Sequence, residues 1–325
     1  MAGMGETPPR VAVILPCLNE GPAIADVVAS FRKSLPDAAI HVFDNNSTDN
    51  TIDEARAAGA LVHRISDQGK GHVLRHAFAQ IDSDVYVMAD GDGTYDAAMA
   101  PRLVGALWER QLDMVIGTRQ ADRPAASFRG GHLTGNHLFN KLVQRLFGNK
   151  FTDIFSGYRA LSRPFVKSFP ALAGGFEIET EMCLHAIQLG LACEEIQTPY
   201  GARAPGSESK LKTVRDGASI LWFILRLLSH LRPLFLAMIL ASLIALVSFG
   251  IGIPVVLDYI HTGLVPRLPT AVAAASLMII ATMGLATGIV LDGVAYTQLE
   301  TKRLAYLAVN RRAPRDQPPP QPTGT

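Results

Sequence analysis

The chain has 325 residues, enough for one sizeable domain and an appendage, and at 48% hydrophobic against 18% charged residues it is more apolar than soluble domains usually are. A net charge of +1 conceals an asymmetry, because residues 1–199 hold 18 basic and 23 acidic side chains and the remainder 12 and 6. The basic part also carries the long apolar runs, which points to an anionic membrane surface and argues against nucleic acid as the partner.

Residues 1–10 read as a polar N-terminal extension without the features of a signal peptide, so the domain that follows is expected to stay in the cytoplasm. From Val11 to about Arg119, short β-rich runs alternate with helical stretches. Val11–Leu15, Ala39–Asp44, Leu61–Ile65, Val85–Ala89 and Met114–Gly117 are nearly continuous apolar runs, as expected of strands covered on both faces. Pro22 suits a first helical turn, Ser47–Asp49 offers caps for Thr51–Ala58, and Asp96 can cap a segment running to Arg110. Such alternation predicts a doubly wound α/β sheet with ligands at the carboxyl ends of its strands. His132 to Gly190 reads as mostly helical with loops, and Cys193–Thr198 as a last strand. Cys17, Cys183 and Cys193 lack metal-ligand spacing and read as reduced thiols.

Residues 212–232 form a juxtamembrane amphipathic helix in this reading, with Trp222, Phe223, Arg226 and Arg232 as interfacial anchors. Two transmembrane helices are then expected within residues 233–292, at about 233–257 and 268–291, each free of charged residues. Basic residues flank the pair and only Arg267 lies in the connecting loop, so both ends are expected on the cytoplasmic side of the inner membrane. Residues 293–325 read as a basic, Pro-rich cytoplasmic tail. Gly250, Gly252, Gly284 and Gly288 permit close helix packing and hence a homo-oligomer.

The chemistry concentrates at strand ends. Asp90-Gly91-Asp92 leaves an apolar strand, expected to face solvent, and two carboxylates one residue apart can share Mg2+ or Mn2+ with a diphosphate. Such a cation would stabilise charge on a departing nucleoside diphosphate. The first strand ends in Pro16-Cys17-Leu18-Asn19-Glu20 and the second in Asp44-Asn45-Asn46-Ser47-Thr48-Asp49. Ser47 and Asp49 are read as structural caps. Three acidic strand ends in one parallel sheet converge on one edge, which costs stability unless a cation or hydroxyl groups offset the repulsion.

The motifs PCLNE, VFDNNSTDNT, GKG at Gly69–Gly71, ADGDGTYD at Ala89–Asp96 and VIGTR at Val115–Arg119 resemble the family-two glycosyltransferases of GT-A fold. DIFSGYRALSR, GFEIETE and RAPGSESKL narrow the resemblance to the polyprenyl-phosphate branch, the relatives of dolichyl-phosphate mannose synthase, over about residues 10–230. The resemblance implies a GT-A catalytic domain over residues 11–211, Rossmann-like and doubly wound, followed by the two-helix transmembrane hairpin. It implies a metal-dependent, inverting hexosyltransferase that takes a UDP- or GDP-linked sugar as donor and a polyprenyl phosphate as acceptor. Carried over by motif, Pro16, Leu18, Asn19, Glu20, Asp44, Lys70 and Asp90 belong to the donor site, and Asp90 and Asp92 to the metal. Arg119, Arg129, Arg203 and Lys210 belong to the acceptor phosphate, with Asp90, Asp92, Arg119 and Arg203 as the catalytic set. Glu179 lies near the site without a defined role, and at least one of Glu177, Glu179 and Glu181 is expected to be a solvated helix charge.

Where the mannose synthases commonly continue with leucine and glutamine, this chain has Gly93-Thr94-Tyr95-Asp96. A metal contact from the glutamine position therefore does not carry over, and the donor sugar stays open. A lipid monophosphate, with a second pKa of about 6, is already a dianionic nucleophile near neutral pH and needs cations more than a base. Two other readings compete. A processive polysaccharide synthase would carry a Gln-x-x-Arg-Trp motif, which neither Trp108 nor Trp222 closes; a catalytically silent membrane scaffold would have no need of the acidic pair. A redox Rossmann enzyme is excluded by the lack of G-x-G-x-x-G after the first strand.

Overall fold

The computed structural model describes residues 8–121, 151–175, 177–201 and 233–313. The chain divides into an α/β unit, Met1–Leu211 with Lys302–Thr325, and a helical unit, Lys212–Thr301. The juxtamembrane segment 212–232, Arg129, Arg203 and Lys210 lie outside the described residues.

The α/β unit is built on a seven-stranded sheet of order β3-β2-β1-β4-β6-β5-β7. Its strands are β1 (Val11–Cys17), β2 (Ala39–Asp44), β3 (Leu61–Arg64), β4 (Val85–Met88), β5 (Met114–Ala121), β6 (Arg159–Ser162) and β7 (Cys193–Tyr200). Only β6 runs against the others, pairing antiparallel with both β4 and β5. The sheet is thus mixed, not parallel throughout, and β6 corrects the helix-and-loop expectation for 132–190. RALS is only four residues long and opens on an arginine, so it carries no strand-like run, yet Arg159 is fully buried. Its guanidinium donates to the Ser156 and Ile154 carbonyls at 2.9 and 2.8 Å, which satisfies the charge from the backbone of the preceding loop.

One face of the sheet packs α1 (Gly21–Ser34), α2 (Thr51–Ala57) and α4 (Ala100–Glu109), through residues such as Ile24, Phe31, Ile52 and Leu103. The other is covered by α3 (Lys70–Gln80), α5 (Arg163–Ser168) and α6 (Ile178–Leu189), joined by edge-on contacts of Phe78, Tyr86, Phe165, Phe169 and His185. The caps follow the sequence signals. Pro22 stands in the first turn of α1, Asp49 accepts the Thr51 amide at 3.0 Å, and Asp96 accepts that of Ala98 at 2.9 Å.

At the amino edge, Asp84 and Asp113 immediately precede β4 and β5 and hold the segment after Lys302. The Asp113 carboxylate accepts from Tyr306 Oη at 3.0 Å and Arg311 Nη2 at 3.1 Å, while Asp84 Oδ1 accepts the Ala313 amide at 2.6 Å. Arg163 donates to the Asn310 carbonyl at 2.9 Å, and Arg312 lies over the Trp108 ring. Part of the expected tail is therefore fixed structure, because its basic and aromatic side chains meet acidic groups that the sheet edge presents.

The helical unit contains α7 (Pro233–Thr262) and most of α8 (Leu268–Leu307), with windows of mean hydropathy 2.6 and 2.1. Both helices outlast the apolar runs that located them: charges at Asp258 and Asp292 end the apolar stretch, not the helix. Both are long and apolar enough to cross a membrane. Their seam is a heptad of small residues, Ala241, Ser248 and Val255 against Ala274, Ala281 and Gly288. Ser248 Oγ reaches the Ala274 carbonyl at 2.8 Å, and a Cβ on Gly288 would collide with Ala237. The large side chains, among them Leu246 and Val290, point outward, which suits lipid and not water.

Candidate functional site

The carboxyl edge of β1, β2 and β4 gathers the loops that the sequence singled out. Asn19, in the left-handed region at φ 54°, turns the chain after β1. Its amide donates to Ser47 Oγ at 2.9 Å and its side-chain oxygen accepts the Thr48 amide at 2.7 Å. The Glu20 amide donates to Thr51 Oγ1 and that of Gly21 to Asp49. Asn19, Glu20 and Gly21 are thus laced to the loop after β2, while Pro16 lies in β1 opposite Phe43; Asp49 meets the first turn of α2 as expected, whereas Ser47 ties Asn19 instead of capping the helix. Asp44 is 3% exposed; Oδ2 accepts the Ser47 amide at 3.3 Å, while Oδ1 is buried without a hydrogen-bond partner among the described residues. Such an orphan acceptor is costly by itself and is well placed to take a donor from a ligand.

Asn45, unremarked in the sequence, joins the next pair of loops. Its amide nitrogen donates to the Asp67 carbonyl at 2.8 Å and its oxygen accepts the Gly69 amide at 2.6 Å. That holds the turn into α3, where Lys70 is buried with Nζ 2.5 Å from Asp90 Oδ1 and 2.5 Å from Glu179 Oε1. Burial would lower the Lys70 pKa, but Asp90 and then Glu179 outweigh it and hold it above the ordinary lysine range. Lys70 is therefore a permanent cation and not a proton donor at neutral pH. Glu179 Oε2 is a second buried acceptor without a partner among the described residues.

The two aspartates of Asp90-Gly91-Asp92 differ. Asp90 keeps a partly exposed side chain. Asp92, expected to face solvent, is 4% exposed, and its Oδ1 accepts from the Thr94 amide at 3.1 Å and Thr94 Oγ1 at 2.6 Å. The loop passes so close to β1 that a Cβ on Gly91 would collide with Cys17 Sγ, and Gly93 takes a positive φ of 75°. This tight passage draws Asp92 inward.

Antiparallel β6 delivers a further segment to the same edge. Gly157 lies against the Asp90–Lys70 pair, where a Cβ would stand 2.9 Å from Asp90 Oδ2 and 3.0 Å from Lys70 Nζ, and its amide donates to Tyr95 Oη at 2.9 Å. Arg119, on β5, pairs with Asp153 through two guanidinium bonds of 2.8 Å and lies over the Tyr200 ring. Burial opposes both charges, but their mutual bonds keep the Arg119 pKa raised and the Asp153 pKa lowered. Arg119 thus stands at the edge as expected, with its charge already matched. Asp153 and Gly157 belong to DIFSGYR, and nothing in that segment marks either as a partner of Arg119 or Lys70. Of the three helix glutamates only Glu177 is an exposed charge; Glu179 meets Lys70, and Glu181 accepts from loop amides.

Among the described residues no cluster of three His, Cys, Asp or Glu side chains could by itself cage a metal ion. Hard divalent cations at phosphate sites commonly take one or two carboxylates and complete their shell from phosphate and water, and a partly exposed Asp90 beside Asp92 suits that arrangement.

The family model for Glycosyl transferase family 2 matches residues 12–169. Glycosyltransferase AglJ of Haloferax volcanii is 38% identical over 231 residues, which are 70% of this chain and 75% of that protein. An undecaprenyl-phosphate mannosyltransferase of Micrococcus luteus is 27% identical over 222 residues, 62% of this chain and 87% of its own. Among solved structures, glucosyl-3-phosphoglycerate synthase of Mycobacterium tuberculosis superimposes in its complex with Mn2+, UDP-glucose and phosphoglyceric acid. The TM-score is 0.54 at 26% identity, over 68% of this chain and 79% of that one. Its complex with Mg2+ and UDP gives 0.55 at 27%, over 68% and 79%. With its GT-A-like mixed sheet and these relatives, the chain belongs to glycosyl transferase family 2.

Proposed function

We propose that the protein transfers a glycosyl group from a UDP- or GDP-linked sugar to a polyprenyl phosphate at a membrane surface, with inversion at the anomeric carbon. The observation that carries this reading is the strand-end edge that holds the Asp90–Lys70–Glu179 cluster and Asp44, where Glu179 Oε2 and Asp44 Oδ1 have no hydrogen-bond partner among the described residues, in a chain that also has two apolar helices of membrane-crossing length. A nucleoside diphosphate sugar brings phosphates for a fixed cation and hydroxyl or ring donors for orphan acceptors. The relative named for undecaprenyl phosphate and the neighbour holding UDP-glucose support the two substrate classes.

In this reading the Pro16–Glu20 loop and Asp44 hold the nucleoside, and Lys70 orients the diphosphate without exchanging its proton. Asp90 and Asp92 would hold Mg2+ or Mn2+, which when bound supplies Lewis-acid stabilisation of the departing diphosphate. The acceptor phosphate, already a dianion, attacks in line and needs a cationic seat. Arg119 contributes to it by sharing its charge between Asp153 and the phosphate, together with Arg129, Arg203 and Lys210. The catalytic unit and both chain ends would face the cytoplasm. The decisive experiment incubates purified protein with polyprenyl phosphate and a panel of nucleotide sugars, followed by mass analysis of the lipid. A lipid mass raised by one sugar residue for one donor is expected; an unchanged lipid across the panel, with Mg2+ and with Mn2+, sinks the reading.

A further inference from the structure

The loop Ala171–Gly175 is held from two sides and leans on the turn that carries Lys70. Glu181, in the first turn of α6, places one carboxylate oxygen on each of two successive amides, Leu172 at 3.0 Å and Ala173 at 2.8 Å. From α3, Arg75 donates to the Ala171 carbonyl at 2.9 Å and the Leu172 carbonyl at 3.3 Å. Ala171 itself sits at φ 48°, a left-handed conformation that an alanine holds only when its surroundings impose it. The far side of the loop meets α3. The Gly71 amide donates to the Gly174 carbonyl at 3.2 Å. A Cβ on Gly71 would collide with the Ala173 carbonyl oxygen, and one on Gly69 with that of Gly174. Gly69-Lys70-Gly71 is thus pressed against the Ala173 and Gly174 carbonyls of a loop whose Leu172 and Ala173 amides donate to Glu181 and whose Ala171 and Leu172 carbonyls accept from Arg75. Neighbouring charge does not explain the clamp: Lys302 acts on Glu181 through space, yet the bonds that Glu181 makes run to the loop backbone.

We propose that Glu181 is a positioning residue for the donor site: by clamping Ala171–Gly175 it sets the Gly69–Gly71 turn and so keeps Lys70 Nζ between Asp90 and Glu179. α6 then serves the lysine twice, through Glu179 at the ammonium group and through Glu181 at the loop behind the turn. Two residues apart on a helix, these glutamates lie about 200° apart around the axis, as one would need in order to grip the turn from two directions. Glu181 touches no substrate in this assignment, which rests on the donor-site reading above.

The test titrates full-length protein in detergent with UDP and with GDP in the presence of Mn2+, by calorimetry. Wild type is compared with Glu181→Gln, Gly71→Ala, Lys70→Met and the double variant Glu181→Gln/Lys70→Met. Loss of a charge-assisted clamp is expected to weaken nucleotide binding roughly tenfold in Glu181→Gln, with Glu181→Asp recovering part of it and Gly71→Ala losing at least as much. Because the effect passes through Lys70, Glu181→Gln should add less than about twofold when Lys70 is already methionine. Hydrogen exchange over residues 170–175 should accelerate in Glu181→Gln while exchange elsewhere stays unchanged. Wild-type affinity in Glu181→Gln, losses that multiply in the double variant, or unaltered exchange at 170–175 would each overturn the assignment. If wild type binds neither nucleotide, the donor reading itself fails, and the exchange result still judges the clamp.

Discussion

Lys70 owes its place to two carboxylates far away in sequence, one on the loop after β4 and one on α6. Removing its charge leaves the buried Glu179 beside the partly exposed Asp90 with no cation between them, so Lys70→Met is expected to cost up to about 3 kcal/mol of stability. Adding Glu179→Gln should return part of that loss, read as melting temperature in detergent. Nothing at Gly69–Gly71 announces this. GKG reads from the sequence as a turn with a cation on it, and a pairing 109 residues away has no local signature. Asp92 was legible as a functional position but not as a buried one, because its burial comes from the close passage of Gly91 over Cys17. The consequence for mutagenesis is favourable. In Asp92→Asn the carboxamide oxygen can still accept both Thr94 bonds, so the turn should survive while the charge is lost. Transfer is expected to vanish with melting within about 1 kcal/mol of wild type; activity near wild type with unchanged Mg2+ dependence would remove Asp92 from the metal.

β2 and β3 carry His41 and His63 on one face, with Nδ1 of the first 3.1 Å from Nε2 of the second and Phe43 stacked beside them. One ring must donate and the other accept, so the two are not both protonated. Burial, and then His63, lowers the His41 pKa to about 4, and burial lowers that of His63. A histidine depressed in the fold takes up its proton only in the unfolded chain, so stability is complete above pH 6.5 and falls as pH drops towards 4. The slope should approach about 1.4 kcal/mol per pH unit for each such histidine. Asp49 and Asp153 are also depressed, but from the carboxylate range, so they act below this window. Melting followed from pH 7.5 to 5 should decline in wild type and less steeply in His41→Phe, where the buried His63 and His185, the latter lowered to about 3, keep the rest of the slope; equal declines would refute the assignment. At this scale the sequence was most legible for buried strands, whose apolar runs match β1 to β5 to within a few residues, and the expected last strand Cys193–Thr198 lies within β7. β6 was hidden because its information lies in what surrounds it: a four-residue strand with a buried arginine is stable only between β4 and β5 and under its own loop. Of the candidate site, the strand-end acids could be read directly, whereas the segment that β6 brings to them could not.

For the whole molecule, composition disclosed an acidic first stretch and a basic, apolar second one, but not the return of the chain, which places Lys302, Arg303, Arg311 and Arg312 in the α/β unit. Residues 302–313 are fastened to the same unit as residues 8–201, which supports two crossings and not one. Single cysteines at His261→Cys and Thr323→Cys, in a Cys193→Ser background, test this. An impermeant maleimide should label the first from outside the cell and not the second; labelling of both from outside would leave only one span. The fastening has a further consequence, for the order of events during synthesis. Asp84 and Asp113 emerge from the ribosome about 200 residues before Ala313 and Arg311, and both apolar helices lie in between. The sheet is therefore translated with its amino edge unclosed, and Tyr306 and Arg311 reach Asp113 only after the hairpin has been made. Completion of the α/β unit is thereby deferred until both apolar helices have been made, and a chain that stalls before residue 302 remains unfinished at β4 and β5, however sound the opposite edge of its sheet.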